Sequence, residues 1–393
     1  MLKDLLRNSM KAGAALRGKA RTMVGAHDAA PKERLFCSQP FNRYEVLGFG
    51  DDRGEVYSCC QSWVTKSLGN MSERPVSEVW NSKDAQALRR SILDGSFRYC
   101  LDVCPYLQRV DGPVRRVEDV TDERMLEIIS KELTILPFGP SDIICCFDQS
   151  CNLSCPTCRP HLIMETLHAD GIVDIQQRLE AEALTDAKLL YITGSGDPFG
   201  SPFFRRWLQT MKPAKMPNLE RIWLHTNGLL WTPRIWESIP PETRALIRLA
   251  TISIDAATPE TYAENRRGGD FPTLLERLAF IAELREAGPL DYLEIHMTVQ
   301  VNNYQEMPAF LELGRHNRCD RVSFHQLLDW GSFSPEEFAS RAIQRPDHPE
   351  HGAFLDMLAD ERLDDPIAYL SNLSDLRTKA LMRQPVGALD VAQ

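Results

Sequence analysis

The stretch SDIICCFDQSCNLSCPTCR, residues 141–159, determines how the rest of the chain is interpreted. Its apolar run Ile143–Phe147 predicts a short strand, which opens into a loop carrying Cys151, Cys155 and Cys158 in a C-x3-C-x2-C array. Three thiolates in one loop can face a single ion or cluster. A four-iron cluster needs four ligands, so three from the protein leave one iron open to a substrate or cofactor. That arrangement indicates chemistry, because closed structural sites usually have four protein ligands.

The composition describes a chain of 393 residues, which has room for one large domain and a smaller one. Its formal net charge of −10 argues against a general nucleic-acid-binding surface. No apolar run reaches membrane-spanning length and no secretory segment begins the chain, so we expect a cytoplasmic protein. The eleven cysteines include the adjacent pairs Cys59–Cys60 and Cys145–Cys146. Such clustering favours metal ligation in a reducing cytosol over disulfide bonds.

The first 36 residues are interpreted as a basic helix followed by a linker. Residues 1–26 carry six Lys or Arg side chains against the single acid Asp4, with leucines on one helical face. A basic amphipathic helix can lie on an anionic membrane or dock a partner. The alternative is an ordinary surface helix, which Gly13 and Gly18 favour because glycine weakens a helix.

A second group of cysteines follows this segment. Its candidate metal ligands are Cys37, Cys59, Cys100 and Cys104, with Cys60 as the alternative to Cys59. Four well-separated thiols that a compact fold brings together can fully ligate one ion or cluster. Spacing alone leaves open whether this site binds a structural zinc ion or an iron–sulfur cluster.

Two helices are predicted between the cysteine groups. Residues 76–97 predict one short helix with Ser77 as its cap and Gly95 as its stop. Residues 121–133 predict a connector helix capped by Thr121.

Strand and helix patterns alternate from residue 141 to about residue 330. The six candidate strands are Ile143–Phe147, Lys188–Thr193, Arg221–His225, Ala250–Ile254, Leu293–Val299 and Arg321–His325. The helical patterns between them are Ile163–Leu184, Pro202–Met211, Pro233–Ile239, Phe271–Ala287 and Gln305–Arg315. Six such units predict a parallel sheet with right-handed crossovers and fall short of the eight of a closed barrel. We therefore predict an α/β fold with a partial (β/α)6 TIM-like barrel and a small amino-terminal cysteine-rich domain.

Polar or glycine residues follow each of the six candidate strands. They are the cysteine loop, Gly194–Pro198, His225–Gly228, Ser253–Asp255, Gln300–Asn303 and His325–Gln326. Because the carboxyl ends of parallel strands meet at one edge of a sheet, these residues predict a site there.

The cysteine loop, placed directly after a strand, resembles the cluster loop of the radical S-adenosylmethionine (radical SAM) superfamily. The resemblance implies that Cys151, Cys155 and Cys158 bind a 4Fe-4S cluster whose open iron binds the amino and carboxylate groups of SAM. It also implies one-electron cleavage of SAM to methionine and a 5′-deoxyadenosyl radical, which abstracts hydrogen from a substrate carbon. The electron would come from a reducing partner such as flavodoxin or ferredoxin.

The resemblance also implies a contact with the amino group of SAM. The turn Ser195-Gly196-Asp197 corresponds to the family's Gly-Gly-Glu motif, whose backbone and carboxylate meet the SAM ammonium. Asp197 is shorter than the more usual glutamate. Thr157 stands where an aromatic residue is common, so an adenine contact is expected from elsewhere.

Two further pairs of residues match SAM-binding positions of the family. Ser253 and Asp255 lie where polar side chains of the fourth strand meet the ribose. Val299 and Val301 lie where the fifth strand packs on adenine, and their alternative is plain barrel core.

The four-thiol module resembles the auxiliary-cluster domains called SPASM or twitch. The resemblance lies in the opening Cys37, in Gly54-x4-Cys59, and in the later pair Cys100 and Cys104. Such domains usually follow the radical SAM domain, whereas this module precedes it. The cysteine count implies one auxiliary 4Fe-4S cluster rather than the two of a full SPASM domain.

Histidines on the strands are the candidate acid–base residues. His225 and His325, at strand ends, are the predicted catalytic pair, and His296 is not selected. The alternative for all three is a satisfied core histidine. Three further cysteines are predicted to pack in the core, namely Cys145, Cys146 and Cys319.

These inferences combine into a radical SAM oxidoreductase or maturase whose auxiliary cluster accepts an electron from the substrate radical. The substrate is a small molecule or a peptide. We favour a sugar or aminocyclitol, because residues 1–36 are too short for a winged-helix peptide-recognition domain. One alternative is a ribosomal-peptide maturase, and another is a non-enzymatic zinc-binding barrel protein with His161 as an outside ligand. The predicted domains are 1–36 (basic helix and linker), 37–120 (auxiliary cluster), 121–140 (connector helix), 141–330 (partial barrel) and 331–393 (carboxyl-terminal cover).

Overall fold

The computed structural model describes residues 34–48, 53–102, 104–165 and 169–383. The basic helix predicted within residues 1–26 lies outside the described residues. In the described ranges no helix combines the length and apolar character needed to cross a membrane.

The described chain alternates strands and helices along most of its length. The strands are β1 Leu35–Cys37, β2 Arg43–Leu47, β3 Glu55–Tyr57, β4 Gly69–Asn70, β5 Val114–Arg116, β6 Asp142–Cys146, β7 Leu189–Ile192, β8 Arg221–Thr226, β9 Ile247–Ser253, β10 Tyr292–Val299, β11 Arg321–Gln326 and β12 Ala368–Tyr369. The α-helices are Gln39–Asn42, Val76–Trp80, Lys83–Leu93, Pro105–Arg109, Glu123–Lys131, Ala169–Glu182, Pro202–Thr210, Pro233–Ser238, Pro241–Arg244, Pro259–Asn265, Phe271–Glu286, Met307–His316, Pro335–Arg341, His351–Leu358 and Ser374–Arg383. Short 3-10 helices cover Val117–Asp119, Pro213–Lys215, Tyr304–Glu306, Glu361–Asp364 and Ser371–Leu373.

One ten-stranded sheet organises the chain, in the order β12-β11-β10-β9-β8-β7-β6-β2-β3-β4. The neighbours from β12 to β2 pair in parallel, whereas β3 and β4 continue the sheet antiparallel. Strands β1 and β5 form a separate antiparallel pair. The fold is therefore mixed α/β around a large parallel sheet.

The six strands predicted from residue 141 onward correspond to β6–β11. Their ends differ from the prediction by at most three residues, the largest shift being the start of β9 at Ile247. Residues 163–165 are not helical, and the described part of this helix spans Ala169–Glu182. Residues 163–165 are held by the cysteine loop, because Ile163 O accepts from Cys151 N at 3.0 Å and Glu165 N donates to Ser150 Oγ at 2.9 Å.

Two helix predictions in the amino-terminal part are wrong in detail. Residues 76–97 form two helices rather than one, because Ser82 breaks the run and caps the second helix by accepting from Ala85 N at 3.1 Å. The connector helix is capped by Asp122 rather than Thr121, since Asp122 Oδ1 accepts from Met125 N at 2.9 Å.

The two faces of the large sheet have different chemistry. On β10, Leu293, Ile295, Met297 and Val299 are fully buried in the core shared with the helices. The alternate residues Tyr292, Glu294, His296 and Thr298 point to the other face, because successive strand residues alternate. Parallel sheets are usually apolar on both faces. We call the polar side the inner face, and it is where a ligand site is expected.

The amino-terminal module is joined to the sheet through β2. Arg43–Leu47 pair in parallel with Asp142–Cys146, so β2 lies beside the strand that leads into the cysteine loop. At the opposite edge, the carboxyl-terminal part adds β12 in parallel to β11. Both edges of the six-strand set are thus covered by pairing within the chain.

Candidate functional site

The three-cysteine loop lies at the carboxyl end of β6. Cys151 and Cys155 are buried, while Cys158 is exposed. Cys158 N and Arg159 N both donate to Cys155 O, at 3.0 and 2.9 Å. This tight turn brings the second and third cysteines to adjacent positions of the loop.

Each of the three thiols has a nitrogen donor beside it. Asn227 Nδ2 lies 3.6 Å from Cys151 Sγ, and Arg266 Nη1 lies 3.7 Å from Cys155 Sγ. Arg159 Nη2 lies 3.3 Å from the sulfur of Cys158, its neighbour in the chain. Such donors favour the thiolate, which is the form that binds metal.

Sequence reasoning missed these donors. Asn227 had a usable signal, because it belongs to the polar stretch after the third predicted strand. Arg159 adjoins a predicted ligand. Nothing in the sequence indicated Arg266. It follows helix Pro259–Asn265, and its contact with the cysteine loop depends on how that helix packs in the folded chain.

Burial opposes ionisation of the two buried thiols of the loop. Burial raises the pKa of Cys151 to about 12 and also raises the pKa of Cys155. A bound cationic centre would displace those protons, so binding and deprotonation are coupled.

Among the described residues, no group of three His, Cys, Asp or Glu side chains is placed to hold one metal ion.

The glycine turn after β7 packs directly on the cysteine loop. Asp197 N donates to Ser150 O at 2.9 Å. A Cβ atom at position 196 would lie 2.9 Å from Ser150 O and closer still to Asp148 O. Only glycine permits this approach, so Gly196 fixes the spacing between the turn and the loop. Ser195 also belongs to this contact, because its Oγ donates to Cys146 O at 2.9 Å.

Asp197 is fully engaged within the protein. Its Oδ1 accepts from Phe199 N and Gly200 N at 2.9 and 2.8 Å. Its Oδ2 accepts from Thr226 Oγ1 and Asn227 N at 2.7 and 2.8 Å. This arrangement favours a role in holding Asn227 at the cysteine loop over the predicted contact with the SAM ammonium.

Asp255 is engaged in a comparable way. Its Oδ2 lies 2.8 Å from Arg266 Nη2, and its Oδ1 accepts from Thr298 N at 2.7 Å. The backbone of Asp255 has φ +60°, a left-handed conformation that is uncommon for a residue other than glycine. The carboxylate therefore supports Arg266 here rather than standing open to a ribose.

The valines predicted at adenine lie with the core. Val299 is fully buried on the helix-facing side of β10, and Val301 is partly buried against the same core. The structure thus favours the core alternative for both residues.

The predicted histidine pair lies on the inner face, together with a third histidine. His225 Nδ1 bonds Tyr191 OH at 2.6 Å, and its Nε2 bonds Ser253 Oγ at 2.7 Å. The His296 ring centroid lies 6.0 Å from that of His225 and 4.4 Å from that of His325. Burial lowers the pKa of His225 and His325 to about 4 and lowers that of His296 as well. The three imidazoles are therefore neutral at pH 7, and His296 Nδ1 is buried with no hydrogen-bond partner among the described residues.

The auxiliary module brings its predicted ligands into one place. Cys37, Cys59, Cys100 and Cys104 line a single small cavity. Cys60 does not line it, so the geometry favours Cys59 as the ligand. The remaining wall is largely apolar, and burial raises the pKa of all four thiols.

The first prediction tests which of the two adjacent cysteines, Cys59 or Cys60, is the ligand in the auxiliary cavity. Cys59→Ala is expected to lose about half of the iron of the reconstituted chain, which is the share of one of two four-iron clusters. Cys60→Ala is the matched control and is expected to keep its iron, because its thiol lies outside the cavity. Iron and sulfide analysis per protein measures both. The reverse pattern would assign the ligand to Cys60.

Comparison with protein families identifies the module. Residues 37–105 match SPASM, an iron–sulfur cluster-binding domain. GTP 3′,8-cyclase of Alkaliphilus metalliredigens (strain QYMF) is 29% identical over 192 residues, which cover 47% of this chain and 55% of that protein. The chain thus spans about half the length of this curated relative.

Solved structures give weaker likenesses. Streptococcus suis SuiB bound to S-adenosylmethionine has a TM-score of 0.36 at 15% identity, covering 63% of this chain and 53% of that chain. Native anSMEcpe with bound AdoMet and Kp18Cys peptide has a TM-score of 0.37 at 16% identity, covering 59% of this chain and 62% of that chain. Scores this low carry no argument about function.

Proposed function

We propose that this chain is a radical SAM enzyme with a SPASM-type auxiliary domain at residues 37–105, which cleaves SAM reductively and oxidises a substrate carbon. The observation that carries the proposal is the three-cysteine loop with a nitrogen donor at every thiol. Three protein ligands leave room for a fourth from outside, which a closed structural site does not.

The chain's own thiols would hold two 4Fe-4S clusters. Cys151, Cys155 and Cys158 would hold the SAM cluster, and the four thiols of the auxiliary cavity would hold the second. When bound, the first cluster and SAM supply a 5′-deoxyadenosyl radical that abstracts hydrogen, and the second cluster supplies an electron acceptor. The residues around them orient these groups and keep water out.

We assign the substrate to the inner face of the sheet. A neutral histidine there can accept a hydrogen bond from a substrate hydroxyl, and the proposed reaction oxidises the carbon that carries this hydroxyl. His225 and His325 are the proposed acid–base pair. Tyr191 and Ser253 hold the two ring nitrogens of His225, so a substrate hydroxyl would replace Ser253 at Nε2. Tyr191, Trp223 and Tyr292 add aromatic surface to the same face, which suits the apolar side of a sugar or aminocyclitol ring.

The remaining assignments complete this proposal. The six strands β6–β11 form a partial (β/α)6 barrel, preceded by the auxiliary-cluster domain at 37–120 and the connector at 121–140, and followed by a cover at 331–393. Among the SAM contacts, the turn Ser195-Gly196 and Ser253 remain proposed. A flavodoxin or ferredoxin would reduce the SAM cluster in the cytoplasm.

The second prediction tests this function directly. Anaerobically reconstituted chain, reduced with dithionite and given SAM, is expected to form 5′-deoxyadenosine and methionine, measured by liquid chromatography and mass spectrometry. The substrate class is then tested with two sets of deuterated probes. One set contains sugars and aminocyclitols, and the other is a serine-containing peptide. Deuterium that appears in 5′-deoxyadenosine identifies the probe from which hydrogen was abstracted. Transfer from the peptide alone would replace the sugar assignment by peptide maturation. A colourless chain that binds zinc and no iron would overturn the whole proposal.

A further inference from the structure

Arg266 is a buried cation placed between the cysteine loop and the interior. Its exposed fraction is 9%. Its Nη1 faces Cys155 Sγ at 3.7 Å and its Nη2 faces Asp255 Oδ2 at 2.8 Å. One guanidinium thus bridges a predicted cluster ligand and a buried carboxylate.

The bridge has a fixed polarity. Asp255 is held on its other side by Thr298 N at 2.7 Å and is buried to an exposed fraction of 1%. The positive end of the pair therefore lies at the sulfur and the negative end lies beyond it. A guanidinium remains protonated in proteins, so this polarity does not depend on pH in the ordinary range.

Burial makes the pair electrically effective. Charges inside a protein are screened much less than charges at the surface. A cluster gains negative charge when it is reduced, and hydrogen bonds and charges at its sulfurs set its reduction potential. A fixed cation at one ligand stabilises the reduced form more than the oxidised form.

We propose that Arg266 raises the reduction potential of the cluster held by the three-cysteine loop, and that Asp255 limits this effect. The inference rests on the proposed function, since it requires that cluster. Arg266 acts through Cys155 and is a positioning residue, because it touches a ligand sulfur and no reacting atom of a substrate.

The third prediction concerns the midpoint potential of the SAM-sensitive cluster. Arg266→Gln removes the cation and is expected to make the potential more negative. Arg266→Lys keeps the charge but loses the planar donor, and is expected to give an intermediate value. Asp255→Asn leaves the cation uncompensated and is expected to shift the potential in the opposite, more positive direction. The measurement is a redox titration of the reconstituted full chain followed by electron paramagnetic resonance.

The adjacent Arg267 provides a matched control. It is exposed and donates to Ser154 O and Pro160 O at 3.0 and 3.5 Å, and it has no sulfur partner in the part of the chain that the structure describes. Arg267→Gln is therefore expected to keep the wild-type potential. The part of the electron paramagnetic resonance signal that changes when SAM is added reports the cluster of the three-cysteine loop. The fully ligated auxiliary cluster would have no open iron to bind SAM, so its signal should not change.

The outcomes separate this inference from the proposed function. Wild-type potentials in both Arg266→Gln and Arg266→Lys would overturn the role of Arg266. If Arg266→Gln does not take up the cluster, the test rests on Arg266→Lys and Asp255→Asn. Equal midpoint potentials in those two variants would also overturn the role of Arg266. A wild-type chain with no SAM-sensitive signal would overturn the proposed function instead.

Discussion

Replacing Cys151, Cys155 and Cys158 together by alanine is expected to abolish 5′-deoxyadenosine formation while leaving about half of the iron, the share of one of two four-iron clusters. The loss should exceed the roughly 10–100-fold that removal of an outer-shell group causes, because no ligand of that cluster would remain. The retained iron belongs to the auxiliary cavity, whose four thiols lie on other elements. Product analysis and iron analysis on the same preparation test both parts.

A buried cysteine outside both sites is the control for this variant. Cys319 has an exposed fraction of 5% and packs in the core. Cys319→Ala is expected to keep both the product and the full iron content, at a modest cost in stability. Cleavage of SAM by the triple variant would show that the reactive cluster lies elsewhere.

Gly196→Ala is expected to have the second largest effect. Its added methyl would collide with the carbonyl oxygens of Asp148 and Ser150, which are backbone atoms and cannot rotate away. Forcing extra volume into a packed site costs about 1–3 kcal/mol of unfolding free energy. The shift would also separate the glycine turn from the cysteine loop. We therefore expect lower thermal stability together with weaker SAM binding, measured by calorimetry of the reconstituted chain.

Gly352→Ala is the matched control for that substitution. Gly352 lies within helix His351–Leu358, and a Cβ there would meet no atom of the described residues within 4 Å. Alanine is a better helix former, so this variant should be unchanged or more stable by up to about 1 kcal/mol. Equal stability of the Gly196 and Gly352 variants would contradict the close approach.

The core of the fold was predictable because strand alternation and helix starts are local signals. The strands β6–β11 were found from their apolar patterns, and Thr232-Pro233 and Thr258-Pro259 mark helix starts that the structure has. The break in the helix at Ser82 was missed, because it depends on a contact that forms only in the folded chain. Ser82 Oγ donates to Leu68 O at 2.7 Å, which places the hydroxyl at the start of the second helix.

The part of the site that could be predicted consists of residues that lie close together in the sequence. The three cysteines of the loop follow from their spacing, but Arg266 and its partner Asp255 meet only after the chain has folded. The same limit applies to Asp197, whose four hydrogen bonds come from two separate stretches, residues 199–200 and residues 226–227. The assignment of Val299 was avoidable, since period-two alternation already groups it with Leu293 and the other core residues of β10.

The parallel pairing of β2 with β6 has a consequence for where the chain can be cut. If a truncation removed residues before 121, β6 would become an open edge with five residues of unpaired backbone beside the cysteine loop. Such edges recruit other strands, so the shortened chain would tend to aggregate. The part that matches the SPASM model is therefore expected to fold together with the strands that carry the three-cysteine loop.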